Sequence, residues 1–180
     1  MIGIVFVRGI NVGGKNMLPM AELRAVCERA GLSRVATYIQ SGNVVFEGPA
    51  KVVRGAAAAI TDGIEKARGF RPVVAVRTLE EVGGVHSTRA FPDQERMEGD
   101  RLLVMFLAEK PNGGAAKVVD AMNTGPERVV LKGREVFMYF PNGVGKSKLS
   151  FPALERAVGA GTSRNWNTIG KMIEMAEGLE

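Results

Sequence analysis

The residues with the clearest capacity for chemistry lie in a glycine-rich segment, PNGVGKSKL, at residues 141–149. Gly145-Lys146-Ser147 has the residue types that end a P-loop, in which backbone amides and a lysine hold nucleotide phosphates. The complete motif also needs a glycine where this chain has Phe140, within the apolar run VFMYF. A P-loop sheet is mostly parallel, whereas the short connections in this chain predict antiparallel pairs. The sequence argues against a nucleotide hydrolase and leaves two interpretations, an anion-binding turn or a glycine turn with solvated lysines.

Three further segments share the polar character of this loop: RGINVGGKN, IQSGN and RN. They contain no Asp or Glu and fall in loops and at strand ends, where binding groups usually lie. If the four segments converge, they form a basic cleft, rich in hydrogen-bond donors, between the two halves of the chain. The candidate anion-binding residues are Arg8, Asn11, Lys15, Asn16, Gln40, Ser41, Asn43, Lys146, Ser147, Lys148, Arg164 and Asn165.

Each candidate also has an ordinary structural explanation. Asn11, Ser41 and Asn43 can stabilise turns by bonding nearby backbone groups. Arg8 can pair with a glutamate, and Asn165 can cap a helix. Both interpretations stay open at the level of sequence.

Composition narrows the function classes. The chain has 180 residues, a formal net charge of +5 and a pI near 9.6, which permits an anionic partner without requiring one. Aromatic residues are only 6%, so a broad base-stacking surface is not expected. Cys27 and His86 are single, which excludes an internal disulfide and a Cys/His zinc cluster. Cys27 falls on the apolar face of a predicted helix, where a core position is expected. His86 is expected at a surface or at a helix end, and no cofactor or metal is indicated.

The N-terminal segment MIGIVFVRG is predicted to be a strand and not a signal peptide, because it lacks a basic leading region and is interrupted by Arg8. No apolar run approaches the roughly 20 residues that span a bilayer. A cytoplasmic location without a membrane partner is therefore expected.

The first half of the chain follows a recognisable order of elements. Ile2 to Val7 predicts a buried strand, and a helix is predicted from Pro19 to about Ala30. RVATYIQ and NVVFE predict two strands of a hairpin joined through Ser41-Gly42. A helix from Val52 to about Arg68 and a strand from Pro72 to Val76 complete the order β-α-β-β-α-β. That is the order of a ferredoxin-like, or split βαβ, fold.

The order begins again after a polar segment, residues 87–100, which is the best candidate for a linker. The elements predicted around it are a helix at Leu79–His86, the strand RLLVMFLAE, a helix at Pro111–Met122, a hairpin of Arg128–Leu131 and Glu135–Phe140 turning at Gly133, a helix at Pro152–Val158 and a last helix at Asn165–Glu177. The last helix stands where a fourth strand would complete the repeat. The predicted class is α+β, with ferredoxin-like domains at 1–90 and 98–180, mainly antiparallel sheets and a C-terminal helix.

The motifs FVRGINVGGKN, YIQSGNVVF, GVGKSKL and RNW followed by Thr168 resemble a widespread bacterial family of uncharacterised proteins, a domain of unknown function. The resemblance extends from residue 4 to about residue 177. It implies two ferredoxin-like (α-β plait) halves, in agreement with the order of elements, and it implies no established activity.

Three functions are compatible with these features. The favoured one is an anion-binding module for nucleic acid or a nucleotide phosphate, which uses the basic loops; the aromatic motif of RNA-recognition domains is missing. The second is an enzyme acting on a small phosphorylated or carboxylated substrate held by Lys15, Lys146 and Arg164, although no general base is identified. The third is a scaffold or homo-oligomer built through sheet edges.

Overall fold

The structure is a computed structural model that describes residues 1–180. Its contacts divide the chain into two compact units, Met1–Gly84 together with Lys171–Glu180, and Val85–Gly170. The domain boundaries expected from the sequence, 1–90 and 98–180, stay a prediction about independently folding segments.

The first unit contains one antiparallel sheet and the helices packed on it. Its elements are β1 (Ile2–Val7), α1 (Met20–Arg29), β2 (Ser33–Tyr38), β3 (Asn43–Glu47), α2 (Ala50–Arg68), β4 (Val74–Thr78) and the start of α3 (Leu79–Ser87). The strand order is β2-β3-β1-β4, with β1 central and antiparallel to both neighbours. This is the ferredoxin-like topology that the order of elements predicted.

The second unit repeats that topology. Its elements are β5 (Leu102–Leu107), α4 (Ala115–Asp120), β6 (Arg128–Lys132), β7 (Glu135–Tyr139), α5 (Phe151–Val158), β8 (Gly161–Asn165) and the start of α6 (Trp166–Glu177). The strand order is β6-β7-β5-β8, and every pair is antiparallel. The predicted α+β class with two ferredoxin-like halves and a C-terminal helix is confirmed.

The prediction that a helix replaces the fourth strand of the second unit is wrong. GTSRN forms β8 and pairs with β5 from Gly161↔Leu107 to Asn165↔Leu103. The segment was missed because it has no apolar run; its backbone pairing with the buried strand β5 stabilises it instead. Arg164 therefore lies within strand β8, two residues before the last helix begins at Trp166.

The core of the first unit lies between its sheet and the helices α1 and α2. Val5 and Phe46 from the sheet pack with Leu23 and Ile60 from the helices, and all four are fully buried. Full burial of each such side chain stabilises the fold by roughly 1.5–3 kcal/mol. Gly3 is required within β1, because a Cβ there would lie 2.4 Å from the Phe46 ring on the neighbouring strand.

The registers of the two sheets reveal a correspondence that the sequence alone did not. Ile4 of β1 pairs with Arg77 of β4, and Val104 of β5 pairs with Arg164 of β8. The fourth strand of each unit thus carries an arginine opposite the same position of its central strand. Arg77 is only 2% exposed and donates to the carbonyl of Val76 at 2.9 Å.

A helix cap follows each of these arginines. The Thr78 hydroxyl accepts a hydrogen bond from the Glu81 amide at 3.1 Å, and the Glu81 carboxylate accepts one from the Thr78 amide at 2.8 Å. The Asn165 side-chain oxygen accepts from the Thr168 amide at 2.8 Å. Both residues end a fourth strand and begin a helix, so the pseudo-repeat extends through the start of α3 and α6.

Candidate functional site

The loop that follows β1, residues 8–18, folds into a miniature hairpin. Val12 and Lys15 form an isolated antiparallel bridge, and the Lys15 amide donates to the Val12 carbonyl at 3.0 Å. Gly13 and Gly14 between them have φ of 57° and 73°, the pair of positive values that a type I′ turn requires. The Gly13-Gly14 pair therefore allows the tight turn at the tip of this hairpin, and Lys15 directly follows that turn.

Asn11 fixes the base of this hairpin. Its side-chain amide donates to the carbonyls of Leu18 at 2.9 Å and Gln40 at 2.8 Å, and its side-chain oxygen accepts from the Leu18 amide at 2.8 Å. The loop after β1 is thereby tied to the turn between β2 and β3, 29 residues further along the chain. These contacts already satisfy the side chain of Asn11, and they are structural.

The other polar candidates of the first unit also bond backbone or neighbouring side chains. Asn16 donates to the Gly9 carbonyl at 3.0 Å. Asn43 is fully buried and donates to the Tyr38 carbonyl and the Ser41 hydroxyl, both at 3.2 Å. The structure thus brings the candidates of the two loops together, with their amide side chains holding the loops in place. Whether any of them contacts a ligand stays a prediction.

Gly42 packs the β2–β3 turn onto the central strand. The Val7 amide donates to the Gly42 carbonyl at 2.8 Å. Gly42 has φ of 77°, and a Cβ at this position would lie 2.8 Å from the Val7 Cβ and 3.0 Å from the Val7 carbonyl oxygen. Only glycine permits this approach, so the SGN sequence is explained by packing as well as by turn geometry.

Two cationic candidates of the first unit are exposed. Arg8 directly follows β1, and its amide donates to the Val73 carbonyl at 2.9 Å. Lys15 is exposed at the hairpin tip, next to Val12 on the paired strand. No acidic residue occurs between Arg8 and Met20 or in the turn between β2 and β3. The surface of these two loops is therefore positive without an internal counter-charge in either loop.

Three exposed apolar side chains lie in the same two loops: Val12 is 65% exposed, Met17 is 55% exposed and Ile39 is 54% exposed. Sequence reasoning missed them, because isolated apolar residues in loops carry no periodic signal. Ile39 is also unusual in its backbone, with φ of 48°. Left-handed backbone is disfavoured for a β-branched residue, so this conformation could not have been inferred from residue type.

The glycine loop of the second unit is not a P-loop. Phe140 is fully buried, in agreement with the sequence argument. The amide of Gly143 donates to the Phe140 carbonyl at 2.9 Å, and the amide of Lys146 donates to the Gly143 carbonyl at 3.2 Å. A short 3-10 turn, Val144–Lys146, results. Of the two glycines that could form an anion-binding turn, Gly143 already donates its amide to a carbonyl, and an anion contact at the Gly145 amide stays a prediction.

The loop does hold an anion, and it is the carboxylate of the chain's own Glu127. The Lys148 amide donates to the Glu127 carboxylate at 3.3 Å. Three hydrogen bonds hold the pKa of Glu127 below its usual value: the largest effect comes from its own backbone amide, and the Ser147 hydroxyl and the Lys148 amide add to it. Desolvation acts in the opposite direction and raises the pKa. The side chains of Lys146 and Lys148 are exposed, and their contact with an external anion stays a prediction.

Glu127→Gln is expected to destabilise the second unit in a pH-dependent way. The folded-state pKa of Glu127 is lowered, so its carboxylate contributes stability above the unfolded-state pKa and loses that contribution as pH falls through the folded-state value. Urea unfolding of wild type and variant should differ more near neutral pH than below the folded-state pKa. A difference that is constant with pH would contradict this role.

The remaining candidates of the second unit are Arg164 and Asn165. The Arg164 guanidinium donates to the Thr162 hydroxyl and to the Ser163 carbonyl, each at 2.8 Å. Burial lowers the pKa of Arg164 to about 10, which still leaves it cationic near neutral pH. Asn165 is a helix cap, as one of the two interpretations from sequence held. A role of Asn165 in binding stays a prediction.

The single cysteine is buried in the core, and the single histidine stacks on an aromatic ring. Burial raises the pKa of the Cys27 thiol to about 12, so a thiolate does not form near neutral pH, and the predicted core position is confirmed. The His86 ring stacks on Trp166 with centroids 4.6 Å apart. Desolvation, and then the charge of Arg89, lower the pKa of His86.

The side chains contain no group of three or more His, Cys, Asp or Glu positioned for a metal ion. No helix combines the length and apolarity needed to cross a membrane.

The fold and loops define an α+β protein of two ferredoxin-like units with acid-free loops after the first strand and in the first hairpin. The chain belongs to the family described as "Protein of unknown function (DUF1697)", which matches residues 1–137. A conserved bacterial protein from Streptococcus pneumoniae, SP0830, has a solved structure that is similar at a TM-score of 0.67 and 23% sequence identity, over 97% of this chain and 98% of that one. This similarity supports the fold alone. No curated protein matches the sequence.

Proposed function

We propose that the chain binds a phosphate-bearing ligand, either nucleic acid or a nucleotide, through the loop after β1. The observation that carries the proposal is the hairpin tip itself. A Gly13-Gly14 turn projects Lys15, and the Asn11 hydrogen bonds hold the base of the loop against the β2–β3 turn. A lysine presented on a preorganised loop needs little ordering on binding, which favours affinity.

The charge pattern supports an anion as the ligand. Arg8 and Lys15 are exposed and are not accompanied by acidic residues within these loops. A free phosphate, a nucleotide and a nucleic acid share the chemistry that such a surface recognises. They differ in salt dependence, since only a polyanion releases condensed counterions when a cation binds it.

Lys15→Glu is expected to weaken binding of a mixed-sequence oligonucleotide about tenfold, because it replaces an attraction to phosphate with a repulsion. It should also make the salt dependence of binding shallower, by about 0.7 in the log–log slope for single-stranded nucleic acid. Filter binding at several salt concentrations measures both quantities. Lys51→Glu is the matched control, since Lys51 is an exposed lysine on α2, outside the loop.

Equal binding by wild type, Lys15→Glu and Lys51→Glu would contradict the proposal. A parallel thermal-shift titration with inorganic phosphate and nucleotides identifies a small ligand, because a ligand that binds the folded state raises the Tm by mass action. Lys146→Glu/Lys148→Glu in the same assays tests the second-unit lysines separately.

A further inference from the structure

The exposed apolar residues Val12, Met17 and Ile39, hereafter the apolar patch, lie on the two loops that also present Lys15. Their proximity follows from the Asn11 hydrogen bonds. Asn11 precedes Val12, and its side chain bonds the carbonyls of Leu18 and Gln40, which follow Met17 and Ile39. The Asn11 carboxamide joins Asn11, Leu18 and Gln40, and each residue of the apolar patch is next in sequence to one of these three.

The backbone conformation of Ile39 indicates that the exposure of the apolar patch is not incidental. A β-branched residue at φ of 48° is a backbone outlier, and such outliers concentrate at functional positions. Asn or Gly would adopt the same turn without this strain. The chain instead holds an isoleucine there and leaves its side chain 54% exposed. The strained turn thus leaves an apolar group exposed on the segment that Asn11 ties to the loop of Lys15.

We infer that the apolar patch contacts the faces of unpaired bases, so that the favoured ligand is a single-stranded nucleic acid. This inference rests on the proposed phosphate binding by Lys15. Val12 and Lys15 are bridge partners, and partners in a bridge direct their side chains to the same face. A cation and an apolar group side by side match a nucleotide, in which a charged phosphate adjoins an apolar base face.

Base pairing determines which part of the ligand the patch can reach. In a duplex the base faces are stacked on one another, and a protein loop meets mainly phosphates and base edges. In a single strand the faces are accessible, and apolar as well as aromatic side chains pack on them. Lys15 is therefore expected to contribute to binding of both forms, and the apolar patch to binding of the single strand only.

The test compares a mixed-sequence oligonucleotide as a single strand and as a duplex. Ile39→Asn removes the apolar side chain and keeps a residue that tolerates left-handed backbone. It is expected to weaken single-strand binding about fivefold or more and to leave duplex binding within about twofold, at an unchanged or higher Tm. Val118→Asn, at an exposed valine of α4, is the control and should leave both affinities unchanged.

Each outcome separates the two proposals. If Ile39→Asn binds the single strand as wild type does while Lys15→Glu is impaired, the base contact is overturned and phosphate binding stands. If Lys15→Glu is unimpaired on both ligands, the proposed function fails. If Ile39→Asn instead abolishes self-association in sedimentation and leaves oligonucleotide binding unchanged, the patch joins two copies of this chain and the inference is overturned.

Discussion

Gly42→Ala is expected to reduce the free energy of unfolding by about 3 kcal/mol. The added Cβ would lie 2.8 Å from the Val7 Cβ and 3.0 Å from both the Val7 carbonyl oxygen and the Ile10 Cδ1. Val7 is fully buried and lies in the central strand, so it cannot move without disturbing its pairing with β4. Overpacking of this kind costs roughly 1–3 kcal/mol, and left-handed backbone adds roughly 1–2 kcal/mol for any residue with a Cβ.

Gly13→Ala provides the matched control for the packing contribution. Gly13 has φ of 57°, but a Cβ there would meet no atom within 4 Å. Its replacement should therefore show only the conformational cost, about 1 kcal/mol. Urea unfolding of both variants measures the difference directly. Equal destabilisation would show that the turn between β2 and β3 moves away from β1 and that the close approach of Gly42 to Val7 is not required.

The fold was largely predictable because its signals are local. Apolar runs such as Ile2–Val7, short hairpin connections and the glycine at position 133 identify strands, turns and their antiparallel pairing. β8 was not predicted because it has no such local signal. Its residues are mostly polar, and only the pairing with β5 makes Gly161–Asn165 a strand. The one signal that favoured a strand there was the repeat itself, because the second half otherwise lacked a counterpart of the fourth strand of the first half.

The candidate site was predictable in residue type and not in arrangement. Sequence identified Asn11 and Lys15, but it could not show that the Asn11 carboxamide bonds the Gln40 carbonyl, because that contact joins distant segments. It also could not show that Glu127, 21 residues before Lys148, supplies a carboxylate to the glycine loop. Ile39 was overlooked because its left-handed backbone runs against the preference of its side chain.

Asn11→Ala is expected to be at least as damaging as Gly42→Ala, by a different mechanism. The substitution removes two hydrogen bonds donated to the carbonyls of Leu18 and Gln40 and leaves the Leu18 amide without its acceptor. Each lost bond costs about 1 kcal/mol, and an unsatisfied buried amide costs more. Left-handed backbone at φ of 55° disfavours alanine further. The total is about 4 kcal/mol, which lowers the Tm of a chain of this size by roughly 8–16 °C.

Asn16→Ala is the control that distinguishes the loss of the Asn11 hydrogen bonds from the cost of placing alanine in left-handed backbone. Asn16 has nearly the same φ, 51°, but its side chain makes one exposed hydrogen bond, to the Gly9 carbonyl. Both variants bear nearly the same conformational cost, so the difference in their free energies of unfolding reports the larger hydrogen-bond network of Asn11, which includes the bond to Gln40 that joins the two loops. We expect Asn11→Ala to be the less stable by about 2 kcal/mol. If the two variants unfold at the same urea concentration, the loops do not depend on the Asn11 carboxamide, and the preorganised tip on which phosphate binding is proposed loses its support.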